Sequence, residues 1–271
     1  MGFECVSVNG FAGDRTPEAM LECHGFATAF SEYFGMPFEL VGDPALVRDL
    51  PWDVALLESK FTFEKISTHL RRILVAGHKP ILITPRCASA IASIPVVVSE
   101  YPDVVILYFD AHGDMTTPES SDSGYLGGMP LSAALGEWDS GYGSGLKVSN
   151  LVHIGGRDFD QVEKEFVEAN KLYTLSKCQI ESDLTDLRTM VSGRSVYVHL
   201  DSDVFDPSEV TAEYAVVDGL YRDHVKKIIE LVVENAELLG VEITEFSPRN
   251  SSEREQSIEA IVESFSELRK Q

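Results

Sequence analysis

The chain has 271 residues, 44% of them apolar and 24% charged, which is enough to bury one sizeable core and fits a single α/β domain over residues 1–271 better than two small ones. Its 44 acidic against 22 basic residues leave a formal charge of -22, a field that repels phosphate backbones and anionic lipid, so nucleic acid and membrane are not expected partners. No apolar run approaches the ~20 residues that cross a bilayer, and MGFECVSVNG has no basic region ahead of an apolar stretch, so the expectation is a soluble, cytoplasmic protein.

In chain order, helical spacing marks 18–33 and 63–76, and an apolar, β-branched run predicts a buried strand at 81–84. A second strand is expected at 104–109, followed by a stretch rich in Gly, Ser and Asp at 116–145 that reads as an active-site loop. Strands at 151–154 and 196–200, a helix at 222–234, a strand at 239–243 and a helix at 253–268 complete the pattern. Strand and helix alternate, so the expected architecture is a three-layer α/β/α fold with a mostly parallel central sheet. In such sheets ligands gather beyond the carboxyl ends of the strands, where side chains and loops converge. The four cysteines form no CxxC pair, and Cys5, Cys23 and Cys178 read as ordinary thiols. His153 and His199 read as packed core residues, and His69, His78 and His224 as helix or surface positions, none with a role. Trp138, in the Gly-rich loop, fits an entrance residue or a loop anchor.

Two strand ends carry the chemistry. VVILYF runs into Asp110-Ala-His112-Gly-Asp114, and SVYVHL runs into Asp201-Ser-Asp203-Val-Phe-Asp206-Pro207. Along a strand, alternate residues share one side, so each i, i+2 pair can face one crevice. Asp206, next to Pro207, reads as a turn residue. The remaining four carboxylates, packed at the ends of buried strands, repel one another unless cations neutralise them, and two divalent ions balance them better than one. Oxygen-rich ligation with one imidazole suits Mn²⁺ better than the Cys/His-rich shells of structural zinc.

These motifs resemble the signatures of the ureohydrolase family (arginase, agmatinase, formimidoylglutamase), DAHxD at one strand end and DxDxxDP at another. The likeness continues through Ser123-Gly-Tyr-Leu-Gly127-Gly128-Met-Pro130, Gly155-Gly-Arg157-Asp158-Phe-Asp160 and Gly240-Val-Glu242-Ile-Thr-Glu245-Phe-Ser-Pro248. It runs from about Pro80 onward and implies an arginase-like fold with two Mn²⁺ per chain. Two departures stand out. Where the family has a GGDHS-like motif whose His is a terminal metal ligand, this chain has Pro85-Arg86-Cys87-Ala-Ser89, which puts Cys87 in the ligand position. A metal and the neighbouring Arg86 would both favour its thiolate. Where arginases place a histidine assigned to proton shuttling, this chain has Gly127.

The resemblance further implies that Asp110 and Asp201 are shared by both metals, that Cys87 and Asp114 complete one, and that His112 and Asp203 complete the other. A hydroxide bridging them attacks the guanidinium-type carbon, Asp114 carries a proton to the leaving nitrogen, and Glu245 holds the head group. Thr116 and Ser123 would meet the substrate carboxylate and Asp160 its ammonium. Both departures are similar to a smaller branch of the family that cleaves N-omega-hydroxy-L-arginine to L-ornithine and hydroxyurea for D-cycloserine biosynthesis. Two alternatives stay open: a ureohydrolase for an unmodified guanidine, or a metal-poor, arginase-shaped binding protein. The partner expected is a small guanidino amino acid, with monomer and homo-oligomer both open.

Overall fold

The computed structural model describes residues 2–270. Its strands are β1 (Phe3–Val8), β2 (Phe38–Val41), β3 (Lys79–Ile83), β4 (Val105–Phe109), β5 (Leu151–Ile154), β6 (Tyr173–Leu175), β7 (Ser195–Asp201) and β8 (Glu237–Thr244). They form one sheet in the order β2-β1-β3-β8-β7-β4-β5-β6, and each pairing is parallel. The helices are α1 (Glu18–Phe34), α2 (Trp52–Glu58), α3 (Lys60–Val75), α4 (Ala90–Glu100), α5 (Pro130–Leu135), α6 (Gln161–Asn170), α7 (Lys177–Ser182), α8 (Thr185–Val191), α9 (Arg222–Asn235) and α10 (Ser251–Ser264).

The strand period of two divides the core into the expected layers. On β4, Val105, Leu107 and Phe109 pack with Phe26 and Phe30 of α1, Leu187 of α8, Ile228 of α9 and Ile261 of α10. Ile106 and Tyr108 point to the opposite face, among Phe63 and Ile66 of α3, Ile91 of α4 and Leu131 of α5. Because both faces are covered, central strands such as VILYF are apolar throughout rather than alternating. This is the three-layer α/β/α architecture, and its sheet is parallel from edge to edge. Among the described residues no helix is long and apolar enough to cross a membrane.

The order of the strands decides where the chemistry sits. The chain leaves β3, builds β4, β5 and β6 further along the sheet, and returns to insert β7 and β8 into the gap between β3 and β4. Parallel pairing puts the carboxyl ends of β3, β8, β7 and β4 in one row. Their registers keep those ends level: Ile83 faces Ile243, Asp201 faces Thr244, and Phe109 faces Leu200.

Three strands escaped the sequence reading. β2 is an exposed edge strand, β6 has three residues, and β1 carries Glu4 and Ser7 within its six. The last helix is shorter than expected. α10 ends at Ser264, and Phe265 N–H turns back to Val262 C=O at 3.2 Å, opening a 3-10 turn over Ser266–Lys270 that lowers Leu268 into the core.

Candidate metal and substrate site

At the end of β4 the backbone supplies what holds the acids in place. Asp110 is fully buried; its Oδ1 accepts the His112 N–H at 2.7 Å, while its Oδ2 has no hydrogen-bond partner among the described residues. Asp203, at the end of β7, accepts the Ala111 N–H at 3.1 Å through Oδ1 and lies 2.9 Å from His112 Nδ1 through Oδ2. Asp201 accepts the Asp203 N–H at 2.8 Å. Each i, i+2 motif thus closes on its own backbone, and the two strand ends lock across the sheet.

Asp110, His112 and Asp203 bring three ligand atoms within 4.8 Å of one another, and Cys87, Asp201 and Glu245 do the same beside them. Asp114 lines the same cavity but lies outside both triads. Its backbone is left-handed at φ 54, and its Oδ2 accepts the Tyr108 hydroxyl at 2.6 Å. A non-glycine residue held there stores strain that the surrounding contacts must offset, and such residues concentrate at functional sites. Glu245, at φ 60, is a second one in the same cavity.

Burial drives the electrostatics. It raises the pKa values of Asp110, Asp114 and Asp201, and mutual repulsion adds to the shift: Asp203 acts on Asp110, Asp110 on Asp114, and Asp203 with Asp110 on Asp201. Burial pulls His112 down, yet its hydrogen bonds to Asp110 and Asp203 lift it to about 12. A buried carboxylate oxygen without a partner, among acids that resist ionising together, is the environment a divalent cation relieves. The donor set of carboxylates, one imidazole and one thiol fits such ions.

The third strand end departs from expectation. Arg86 does not turn its donors toward Cys87. Its Nε lies 3.0 Å from Asp14 Oδ1, its Nη1 2.9 Å from Glu213 Oε2 and 2.7 Å from Glu245 Oε2, and its Nη2 donates to Thr16 O and Oγ1 at 2.8 Å each. Cys87 donates its thiol to Gly127 C=O at 3.2 Å. Burial, then the charges of Asp114, Glu245, Asp201 and Asp110, push that thiol well up. Ionising it therefore requires a cation in direct contact. Glu245 Oε1 accepts the Cys87 N–H at 3.0 Å, and burial raises Glu245 to about 7 against the pull of Arg86.

The substrate residues expected from sequence reach the same cavity: Thr116, Ser123 and Asp160 all line it. Thr116 is buried and donates its hydroxyl to Gly128 C=O at 2.6 Å, whereas Ser123 and Asp160 are exposed at the rim. Sequence reading missed Glu163, a buried acid in the cavity wall that accepts the Met115 N–H at 3.0 Å and the Asp160 N–H at 2.8 Å. Its signal was available as the Asp160-x-x-Glu163 spacing of a capping box. Gly113 is required beside it, since a Cβ there would lie 2.4 Å from the Glu163 carboxyl carbon.

Tyr125 was missed as well. Its ring fills the space a side chain at position 127 would need: a Cβ on Gly127 would meet Tyr125 Cε1 at 2.4 Å. The Tyr125 hydroxyl is buried without a hydrogen-bond partner among the described residues, and Tyr214 packs 5.7 Å away, ring centre to ring centre. Trp138 proves to be a loop anchor. It meets Trp52 edge-on at 5.7 Å and donates its indole N–H to Ser132 Oγ at 2.9 Å, outside the cavity lining. Asp206 is a turn residue, accepting the Ser208 N–H at 3.0 Å.

The family model of the arginase family matches residues 12–269. The chain belongs to the arginase family. Membership makes it a hydrolase of carbon–nitrogen bonds in guanidino groups. Among curated relatives, the N(omega)-hydroxy-L-arginine amidinohydrolase of Streptomyces lavendulae is 34% identical over 259 residues, covering 96% of this chain and 94% of that protein. The arginase of Bacillus caldovelox is 28% identical over 201 residues, covering 68% of this chain and 67% of its own length. Among solved structures, the arginase of Bacillus cereus superposes with a TM-score of 0.83 at 22% identity, covering 98% of this chain and 97% of that one. The proclavaminate amidino hydrolase of Streptomyces clavuligerus superposes at 0.75 with 16% identity, covering 99% and 90%. At those identities the superpositions speak for the family fold.

Proposed function

We propose that this chain, acting in the cytoplasm as one domain over residues 1–271, hydrolyses N-omega-hydroxy-L-arginine to L-ornithine and hydroxyurea with two Mn²⁺ ions. The observation that carries the reading is the 34% identity over 96% of the chain with a protein named for that substrate. The cavity supports it. With Gly127 and the Tyr125 ring in place of a side chain at 127, the wall has no imidazole there to shuttle protons. A hydroxyguanidine is much less basic than a guanidine, so it enters the cavity neutral at mildly alkaline pH, and the ornithine amine it releases takes its proton by way of Asp114. The hydroxyurea released would serve antibiotic biosynthesis of the D-cycloserine kind.

In this reading Asp110 and Asp201 hold both metals, Cys87 and Asp114 one of them, and His112 and Asp203 the other. When bound, the pair supplies a water ionised near neutral pH for attack on the amidine carbon. Asp114, fixed by Tyr108 at 2.6 Å, carries a proton to the departing ornithine nitrogen. Glu245 holds the head group from the end of β8. Thr116 and Ser123 meet the substrate carboxylate on one side of the cavity, and Asp160 with Glu163 meets the ammonium on the other. The cavity thus offers hydroxyls to the carboxylate of an amino acid and acids to its ammonium.

Initial rates with Mn²⁺ on N-omega-hydroxy-L-arginine, L-arginine, agmatine and formimidoylglutamate test the assignment. Hydroxyarginine is expected to give the highest kcat/KM. A clear preference for plain arginine overturns it.

A further inference from the structure

We propose that Arg86 is a positioning residue that sets the charge behind Glu245 and thereby biases the head-group site toward neutral hydroxyguanidines and against cationic guanidines. The inference rests on the proposed placement of the head group at Glu245.

Arg86 is fully buried, as is Asp14, and does not line the cavity. Its contacts tie together three loops: Asp14 and Thr16 after β1, Glu213 after β7, and Glu245 after β8. Each anionic partner has a second hold. Asp14 accepts the Ala12 N–H at 2.7 Å, Glu213 the Thr16 hydroxyl at 2.5 Å, and Glu245 the Cys87 N–H at 3.0 Å. The guanidinium therefore sits in a fixed cage, and because arginine keeps its proton throughout the usual pH range, its charge is permanent.

The consequence falls on Glu245. Both of its oxygens are already engaged, Oε2 by Arg86 and Oε1 by the Cys87 N–H. Glu245 lines the cavity at 2% exposure, so anything held by its outer lone pairs shares the carboxylate with Arg86. A cationic head group there faces a like charge across one carboxylate in a poorly screened interior. A neutral hydroxyguanidine does not, and it can still donate an N–H or O–H to the same oxygen. Asp14 and Glu213 keep the cluster acidic overall, so the effect of Arg86 is read from the difference between two substrates rather than from total affinity.

The test uses the Asp14→Asn/Arg86→Met double variant, which removes the buried cation together with its fully buried partner, alongside Arg86→Lys, which keeps the charge. Both are assayed with hydroxyarginine and arginine at a pH above the pKa of the hydroxyguanidine and below that of the guanidine. The double variant is expected to lose about tenfold of its preference for hydroxyarginine, chiefly through a lower KM for arginine, while Arg86→Lys retains the preference. Equal losses for both substrates, with the ratio unchanged, would mean a merely structural role and overturn the proposal. Inhibition of the unaltered protein by small head-group probes gives a second reading that does not depend on the variants folding. N-hydroxyguanidine is expected to inhibit at lower concentration than guanidinium chloride, and the reverse order overturns the proposal. Wild-type preference for arginine would instead reject the functional assignment itself.

Discussion

The two side-chain triads stand side by side at one row of strand ends, yet they are held by different means. Asp110, His112 and Asp203 are fixed where two paired strands end: Asp110 takes an N–H from its own turn, and Asp203 takes the Ala111 N–H from the neighbouring strand end. In the second triad Asp201 is held by its own turn, but Cys87 and Glu245 depend on contacts across the whole chain: Cys87 N–H to Glu245 spans 158 residues in sequence, and Arg86 to Glu245 spans 159. The first triad is set by short motifs, so it persists wherever the sheet forms. The second requires the β1, β7 and β8 loops to close on one buried arginine, and its precision is tied to the stability of that closure.

Asp201 belongs to the second triad and also holds the backbone of Asp203 in the first, so its loss should break both. Asp201→Ala is expected to abolish Mn²⁺ retention and lower kcat well beyond the roughly 10–100-fold typical of outer-shell changes. Metal analysis and steady-state rates check this, and full activity would discard the scheme. Arg86→Met should separate the halves on the stability axis. Stranding buried Asp14 and Glu245 should cost about 3–5 kcal/mol in denaturant unfolding, whereas a change under about 1 kcal/mol would show the closure to be dispensable. Tyr108→Phe removes a hydrogen bond that orients Asp114. The expected result is a fall in kcat of about 10–100-fold with metal content unchanged, and an unaltered kcat would free Asp114 from that hold. Smallest of all, Arg249→Ala breaks only the exposed i,i+4 pair with Glu253. It should leave the denaturant midpoint unchanged within error, and a measurable drop would mean that surface pairs on α10 contribute to the closure.

The same contrast explains what could be read from the chain alone. DAHGD and DSDVFDP announce themselves because each is a buried strand followed by metal-binding residue types at a period of two, and the structure gathers Asp110, His112, Asp201 and Asp203 at adjacent strand ends while Asp114 lies outside both triads. The alternation of apolar strands and amphipathic helices gave the layers for the same reason. Arg86 was legible as a residue but not as a hub, because its carboxylate partners lie 72, 127 and 159 residues away. It was read as a neighbour of the Cys87 thiol, whereas packing turns it toward three acids. Tyr125 was hidden for another reason: its place follows from the missing side chain at Gly127, and a vacancy in sequence does not say which neighbour fills it. Glu163 carried a spacing signal that reads equally well as an ordinary helix start, and only the fold brings it against the loop after Asp114.

The central claim is that these strand ends hold two separate ions, one of them with Cys87, and counting metal tests it most directly. After loading with Mn²⁺ and removal of free ion, the unaltered protein should carry about two ions per chain and Cys87→Ala about one. Fewer than one ion in the unaltered protein, or two in Cys87→Ala, would contradict the account.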